Sequence, residues 1–179
     1  YKQGKGTKAA RHKIEMIMQQ LNLSPEDRPC VLPARKRREE VGAAAAAIQL
    51  ANGEIVTGRA SNLMSASSAA ILNAIKAMAG IDREALLIQP EVLEPILKLK
   101  INILGSRSSV LKVDDVLAAL SITATRNPPA ALAMEQLPNL RDLDMHSSQM
   151  LHNGDEGTLR KLGLRLTCDP EYPSKDLYF

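Results

Sequence analysis

Ala43-Ala44-Ala45-Ala46-Ala47-Ile48-Gln49-Leu50-Ala51-Asn52-Gly53-Glu54-Ile55-Val56-Thr57-Gly58-Arg59 reads as two strands joined by a tight turn. Alanine is a poor strand former, so propensity alone does not make Ala43 to Leu50 a strand. The Asn52-Gly53 pair decides it, because both residues tolerate the positive φ angles of a two-residue hairpin turn. Ile55-Val56-Thr57 is β-branched, as a returning strand should be. Small side chains on the first strand let a helix approach it closely.

The residues after the hairpin supply that helix. Ser65 to Met78 carries an apolar face of Ile71, Leu72, Ile75, Met78 and alanines, and Gly80 stops it. A short buried strand is expected at Leu86–Ile88, then a helix from Pro90-Glu91 to Leu104, stopped at Gly105. Asp114 and Asp115 open a further helix to about Thr125. Asn127-Pro128-Pro129 breaks the chain before another helix ending near Gln136. Asp142–Leu151 is expected as a strand, Asp155–Leu162 as a helix and Leu164–Cys168 as a last strand.

Upstream, Ile14, Ile17, Met18 and Leu21 share one face of a helix over residues 8–22. Ser24-Pro25-Glu26-Asp27 reads as a capped turn. Pro33 is expected to open a short helix, Ala34 to Val41, ended by Gly42. The order is α, ββ, then βα units. It predicts an α/β fold, a mixed sheet flanked by helices in three αβα layers. Residues 1–29 are expected to be a helical linker to N-terminal domains of a longer protein, because the chain starts at Tyr1 and opens Lys-Gln-Gly-Lys-Gly. Residues 30–179 are expected to form the main domain.

Composition narrows the function classes. The chain has 179 residues, 45% hydrophobic and 24% charged, with a net charge of +3, which is ordinary for a globular protein. Aromatics are 2% with no Trp, so base-stacking platforms for single-stranded nucleic acid are missing. The basic run Arg35-Lys36-Arg37-Arg38 is followed by Glu39-Glu40, and a solvated helix face explains it better than nucleic acid. Arg35 or Lys36 facing a pocket is the better functional reading of that run. The apolar runs are too short to cross a membrane. Cys30 and Cys168 are too few for a disulfide framework and read as two reduced thiols in a cytoplasmic protein.

Three constellations carry chemistry. Ser61 to Ser68 places the hydroxyls of Ser65, Ser67 and Ser68 at a helix start, where free backbone N–H groups favour an anion, with Arg59 just upstream. Capping by serine is the bland reading of the same residues. Glu91 and Glu94 share one helix face and could offer oxygen ligands to Mg²⁺ or Mn²⁺, although acids in a first helical turn are favoured by the helix dipole alone. Asp142, Asp144, His146 and Ser148 would share one strand face, but a catalytic triad needs partners converging from elsewhere.

Ala69-Ala-Ile-Leu-Asn-Ala-Ile75 resembles the zinc-binding helix of cytidine deaminases, Cys-Ala-Glu-Arg-Asn-Ala-Ile. Leu87-Ile-Gln-Pro-Glu-Val-Leu-Glu94 resembles the stretch that ends Pro-Cys-x-x-Cys. The likeness implies a cytidine-deaminase-like fold whose zinc motif is gone. Ala69 stands at a ligand position, Ile71 at the glutamate position, and Glu91 and Glu94 at the two cysteine positions. No metal site and no cofactor are expected from it. Much of the chain also resembles the C-terminal region of a family of conserved bacterial proteins of unknown function. Arg11-His-Lys-Ile-Glu15, Leu23–Arg28, Asn52–Gly58, Ala66–Ala70, Glu91–Lys100, Ala133–Pro138, Arg160–Gly163 and Leu166–Pro170 carry that likeness. It implies larger N-terminal domains as partners and supplies no catalytic residues.

Two function classes follow. One is a zinc-free domain for binding an anionic or nucleotide-like small molecule, or for assembly. Its ligand residues would be Arg59, Ser65, Ser67, Ser68, Glu91 and Glu94. The other is part of a metal-independent or Mg-dependent enzyme for a phosphorylated or nucleotide-like substrate, its site shared with the N-terminal domains. The alanine-rich helices could also bury against a second copy of the chain.

Overall fold

The computed structural model describes residues 2, 4, 6–106 and 110–172. Helix α1 (Lys8–Gln20) is followed by a single 3-10 turn, Pro25–Asp27, and by α2 (Val31–Val41). The hairpin forms as β1 (Ala45–Gln49) and β2 (Ile55–Arg59), and leads into α3 (Ala66–Met78). Next come α4 (Pro90–Lys98) with a π-helical extension (Leu99–Ile103), α5 (Val113–Ala124) and α6 (Pro128–Glu135). The chain then closes with β3 (Asp144–Ser147), α7 (Asn153–Lys161) and β4 (Arg165–Cys168).

The four strands make one mixed sheet in the order β2-β1-β3-β4. β1 runs antiparallel to both neighbours, and β3 and β4 are parallel, joined through α7. α2 packs on β1, β2 and β3, while α3 packs on β1 and β2. Strand alternation sorts the layers. Ala47 and Ile55 join Cys30 and Ala34 of the α2 side. Ala46, Ile48 and Met145 join Ala70, Ile71, Ala74 and Ile75 of α3 in the larger core, with Leu120, Ala130 and Leu159 from the helices behind it. The α/β fold with three αβα layers is therefore as the sequence indicates.

One contact sets the spacing of this stack. A Cβ on Gly58 of β2 would lie 2.1 Å from the Ala70 backbone nitrogen of α3. Helix and strand backbones touch there, which only glycine permits. Asn73 then fixes the helix to the strand, its Nδ2 donating to the Thr57 carbonyl at 3.0 Å.

The expected strand at Leu86–Ile88 does not form, and this corrects the sequence reading. Both edges of β1 are taken, by β2 and by β3. The 81–89 connection is held instead by the Lys76 ammonium, which donates to the carbonyls of Arg83 (2.5 Å) and Ala85 (3.1 Å). Leu87 and Ile88 are apolar because they fill the core from an irregular segment. The helix expected over Glu91–Leu104 runs through Pro95 as far as Lys98 and then changes to the π-helical Leu99–Ile103 before Gly105 at φ 64°. The strand expected over Asp142–Leu151 is shorter, with Asp142 at φ 63° lying outside it. α2 starts earlier than expected, at Val31, because Pro33 sits in the first turn, where its missing N–H has no intrahelical acceptor to lose.

Gly58→Ala should cost about 3 kcal/mol or more, or prevent folding, because two backbones must separate. Gly157→Ala is the control: Gly157 is an exposed residue inside α7 with nothing near an added Cβ. That variant should gain about 0.5–1 kcal/mol. Urea midpoints of the two variants check both signs.

Candidate functional site

The serine cluster folds as a helix start that is already hydrogen-bonded. Ser65 is the N-cap of α3, and its Oγ accepts from the Ser68 N–H at 3.2 Å. The Ser65 and Ser68 hydroxyls lie 2.9 Å apart, and the Ser68 hydroxyl donates to the Leu111 carbonyl at 3.4 Å. Met64 and Leu111 form an isolated parallel bridge. The Ser65 N–H donates to Leu111 O at 3.0 Å and the Leu111 N–H to Leu63 O at 2.8 Å. This bridge sets the start of α5 beside the start of α3.

Asp155, in the first turn of α7, reaches into that junction. It is 2% exposed, and its Oδ1 accepts from the Val113 N–H of α5 at 2.8 Å. Burial pushes its carboxyl above the usual range; the Val113 N–H and the Ser65 hydroxyl pull it back only in part. Three helix starts therefore meet around one internal carboxylate. A cavity of about 70 Å³ remains between them, lined among others by Ser65, Ser67, Ser147, Gln149, His152 and Asp155. That is room for roughly two waters or one small polar group. Ser67 is 3% exposed, and its hydroxyl makes no hydrogen bond to another described residue.

The other expected ligand residues lie elsewhere. Arg59 is exposed at the end of β2 and lines a separate groove with Arg37, Asn73 and Arg83. Glu91 and Glu94 stand exposed on α4 and do not line the serine cavity. Asp155, Ser147 and His152 were missed as members of the cavity. The Asp155-Glu156 pair reads as ordinary first-turn acid in sequence, and only the fold shows one of the two turned inward.

A second polar layer lies between α2 and the sheet. Arg28 pairs with Asp144 at 2.8 Å, and Arg165 meets the same carboxylate at 2.9 Å. Arg35 holds Asp169 through Nε and Nη2, the closest contact being 2.7 Å, and also reaches Glu26. His146 sits behind this pair. Its Nδ1 is 2.9 Å from the Thr167 hydroxyl and its Nε2 3.5 Å from Asp169 Oδ1. Burial keeps the His146 pKa below its ordinary 6.5 against the pull of Asp169. For Asp169 burial acts upward, but Arg35 and His146 outweigh it and hold the carboxyl below the usual range. Asp142 lies outside the strand, and Ser148 is spent on Ala45, whose N–H donates to its hydroxyl at 2.9 Å. His146 is thus a buried member of an ion-pair layer, with no serine nucleophile at its ring. Arg35 does line a groove, of about 680 Å³, with Arg38, Glu39 and Glu171, but its guanidinium is committed to Asp169. Cys30 is fully buried, and burial pushes its thiol up, so it is unreactive. Cys168 is exposed, and neither cysteine is in a disulfide. Among the described residues, no three His, Cys, Asp or Glu side chains gather to hold a metal ion.

A histidine whose pKa is depressed by folding binds a proton more readily when the chain unfolds. Its contribution to stability is present above pH ~6.5 and is lost as the pH falls through the lower folded value. Urea midpoints should fall from pH 7 toward pH 5. In His146→Asn, which keeps a partner for Thr167, that part of the slope should vanish.

Residues 26–178 match the family described as Domain of unknown function DUF1846, C-terminal. A UPF0371 protein of Clostridioides difficile (strain 630) is 46% identical over 187 residues, covering 100% of this chain and 37% of that protein. One from Streptococcus thermophilus (strain ATCC BAA-491 / LMD-9) is 47% identical over 178 residues, covering 99% of this chain and 36% of that protein. One from Streptococcus pneumoniae (strain CGSP14) is 48% identical over the same length and shares. The chain spans little more than a third of the length of the curated relatives it matches. With a match over most of its length and relatives this similar, the chain belongs to the DUF1846 family and corresponds to its C-terminal domain.

Proposed function

We propose that this domain binds a polar small molecule without zinc, through the cavity where α3, α5 and α7 begin. The observation that carries the reading is Ser67, a residue only 3% exposed whose hydroxyl makes no hydrogen bond to another described residue and which lines a cavity already equipped with Ser147, His152 and Asp155. Asp155 refines the ligand chemistry. A fully ionised group would meet a buried carboxylate there, so the inserted group must donate as well as accept. A sugar hydroxyl or a singly protonated phosphoryl group does both, which keeps a nucleotide-like ligand in view. The cavity takes only that end of the molecule.

The rest of the longer protein is the partner we expect for the remainder of the ligand. Helix α1 buries none of its residues, and Ile14 and Leu21 are 59% and 63% exposed on its apolar side. We take residues 1–29 as the connection to the preceding part and residues 30–179 as the domain proper. The hairpin and α3 support a deaminase-like ancestry for the core, whereas the irregular 81–89 segment departs from it. Among the described residues no helix is long and apolar enough to cross a membrane, and two cysteines outside any disulfide suit a cytoplasmic setting.

A thermal-shift screen of nucleosides, nucleotides and sugar phosphates tests the reading on this chain and on the full-length protein. A ligand that raises the Tm should lose at least about tenfold in affinity in Ser67→Ala, one or two hydrogen bonds being removed. If no compound moves either protein, or Ser67→Ala leaves the shift intact, the serine cavity is not the site.

A further inference from the structure

We propose that the groove beside the free edge of β2 is a phosphate site, held by Arg37, Arg59 and Arg83. It is independent of the serine cavity. β2 ends the sheet, and its outer side is bordered by α2, α3 and the 81–89 connection. One arginine comes from each of three elements: Arg37 from α2, Arg59 from the last position of β2, and Arg83 from the connection. Gly58 and Ala69 give the groove a floor without bulk, and Thr57 and Asn73 add polar atoms. Its volume is about 320 Å³, the size of a phosphorylated small molecule.

Charge makes the case. Three guanidinium groups face one carboxylate in this groove, Glu84. Arg37 is also paired with Glu40 at 3.1 Å, but among the described residues Arg59 and Arg83 form no ion pair. Arg28, Arg35, Arg38 and Arg165, by contrast, are each paired with a carboxylate. Three like charges with a single lining carboxylate repel one another in the groove, and a dianionic phosphate would relieve them. Guanidinium forks match phosphate oxygens in geometry as well as charge. The Asn73 amide is already tied to Thr57, so the floor of the groove is fixed before a ligand arrives.

Titration calorimetry on the full-length protein, with inorganic phosphate, adenosine monophosphate and adenosine as probes, tests this. Phosphate and the monophosphate should bind and adenosine should not, and raising KCl to about 0.5 M should weaken binding strongly. The Arg59→Gln, Arg83→Gln double variant should weaken phosphate at least about tenfold. Without phosphate its Tm should rise by about 1 °C, since repulsion is removed. Much tighter binding of the monophosphate than of phosphate would identify a phosphorylated metabolite as the ligand, and equal binding would identify free phosphate. The proposal is overturned if neither phosphate probe binds, if the double variant binds them as the parent does, or if its unliganded Tm falls. Ser67→Ala should leave phosphate binding unchanged, so failure of the serine cavity and failure of this groove are read separately.

Discussion

The stack of layers depends on the meeting of two backbones, Gly58 of β2 and Ala70 of α3. Close approach removes the room that side chains normally occupy between a helix and a sheet. The core must then be built from alanines at the contact and from Ile48, Ile71, Ile75 and Met145 around it. Dispersion between close backbones replaces the bulk of large side chains. The same contact brings the end of β2 and the start of α3 together, so the arginine groove borders this seam.

Two ways of handling charge coexist around the sheet. On the α2 side, charges are paired across elements: Arg28 with Asp144, Arg35 with Asp169, Arg38 with Glu171. These pairs fasten the helix to the far half of the sheet and to the chain beyond β4. On the α3 side a single carboxylate, Asp155, answers the helix starts from inside the protein. An internal acid at such a point takes the role that a bound anion has in many phosphate-binding proteins. The serine-rich start of α3 is thus partly a structural joint, and Ser67 is the portion of it left over.

Much of this was legible in the chain. Asn52-Gly53 and Ile55-Val56-Thr57 revealed the hairpin because turn chemistry and β-branching are local properties. The boundaries of α3 followed from Ser65 and Gly80 for the same reason. Leu86–Ile88 misled because an apolar run reports burial and not pairing, and Leu87 and Ile88 fill the core from an irregular segment. Arg59 and Ser65 are near in sequence yet line different hollows, since β2 and α3 turn them to different sides. The inward turn of Asp155 depends on the Met64–Leu111 bridge, which joins residues far apart in sequence. No local pattern contains that information.

The position of β1 has a consequence in time. Ala47 pairs with Thr57 on one side and with His146 on the other, about a hundred residues later. At a synthesis rate of roughly 5–20 residues per second, the hairpin exists for many seconds before its second neighbour leaves the ribosome. For that interval β1 is an open edge, the kind that captures other strands. Its first three residues are alanines, which give a mispaired strand little side chain to grip. The plainness of that strand suits a chain that has to wait for its own partner.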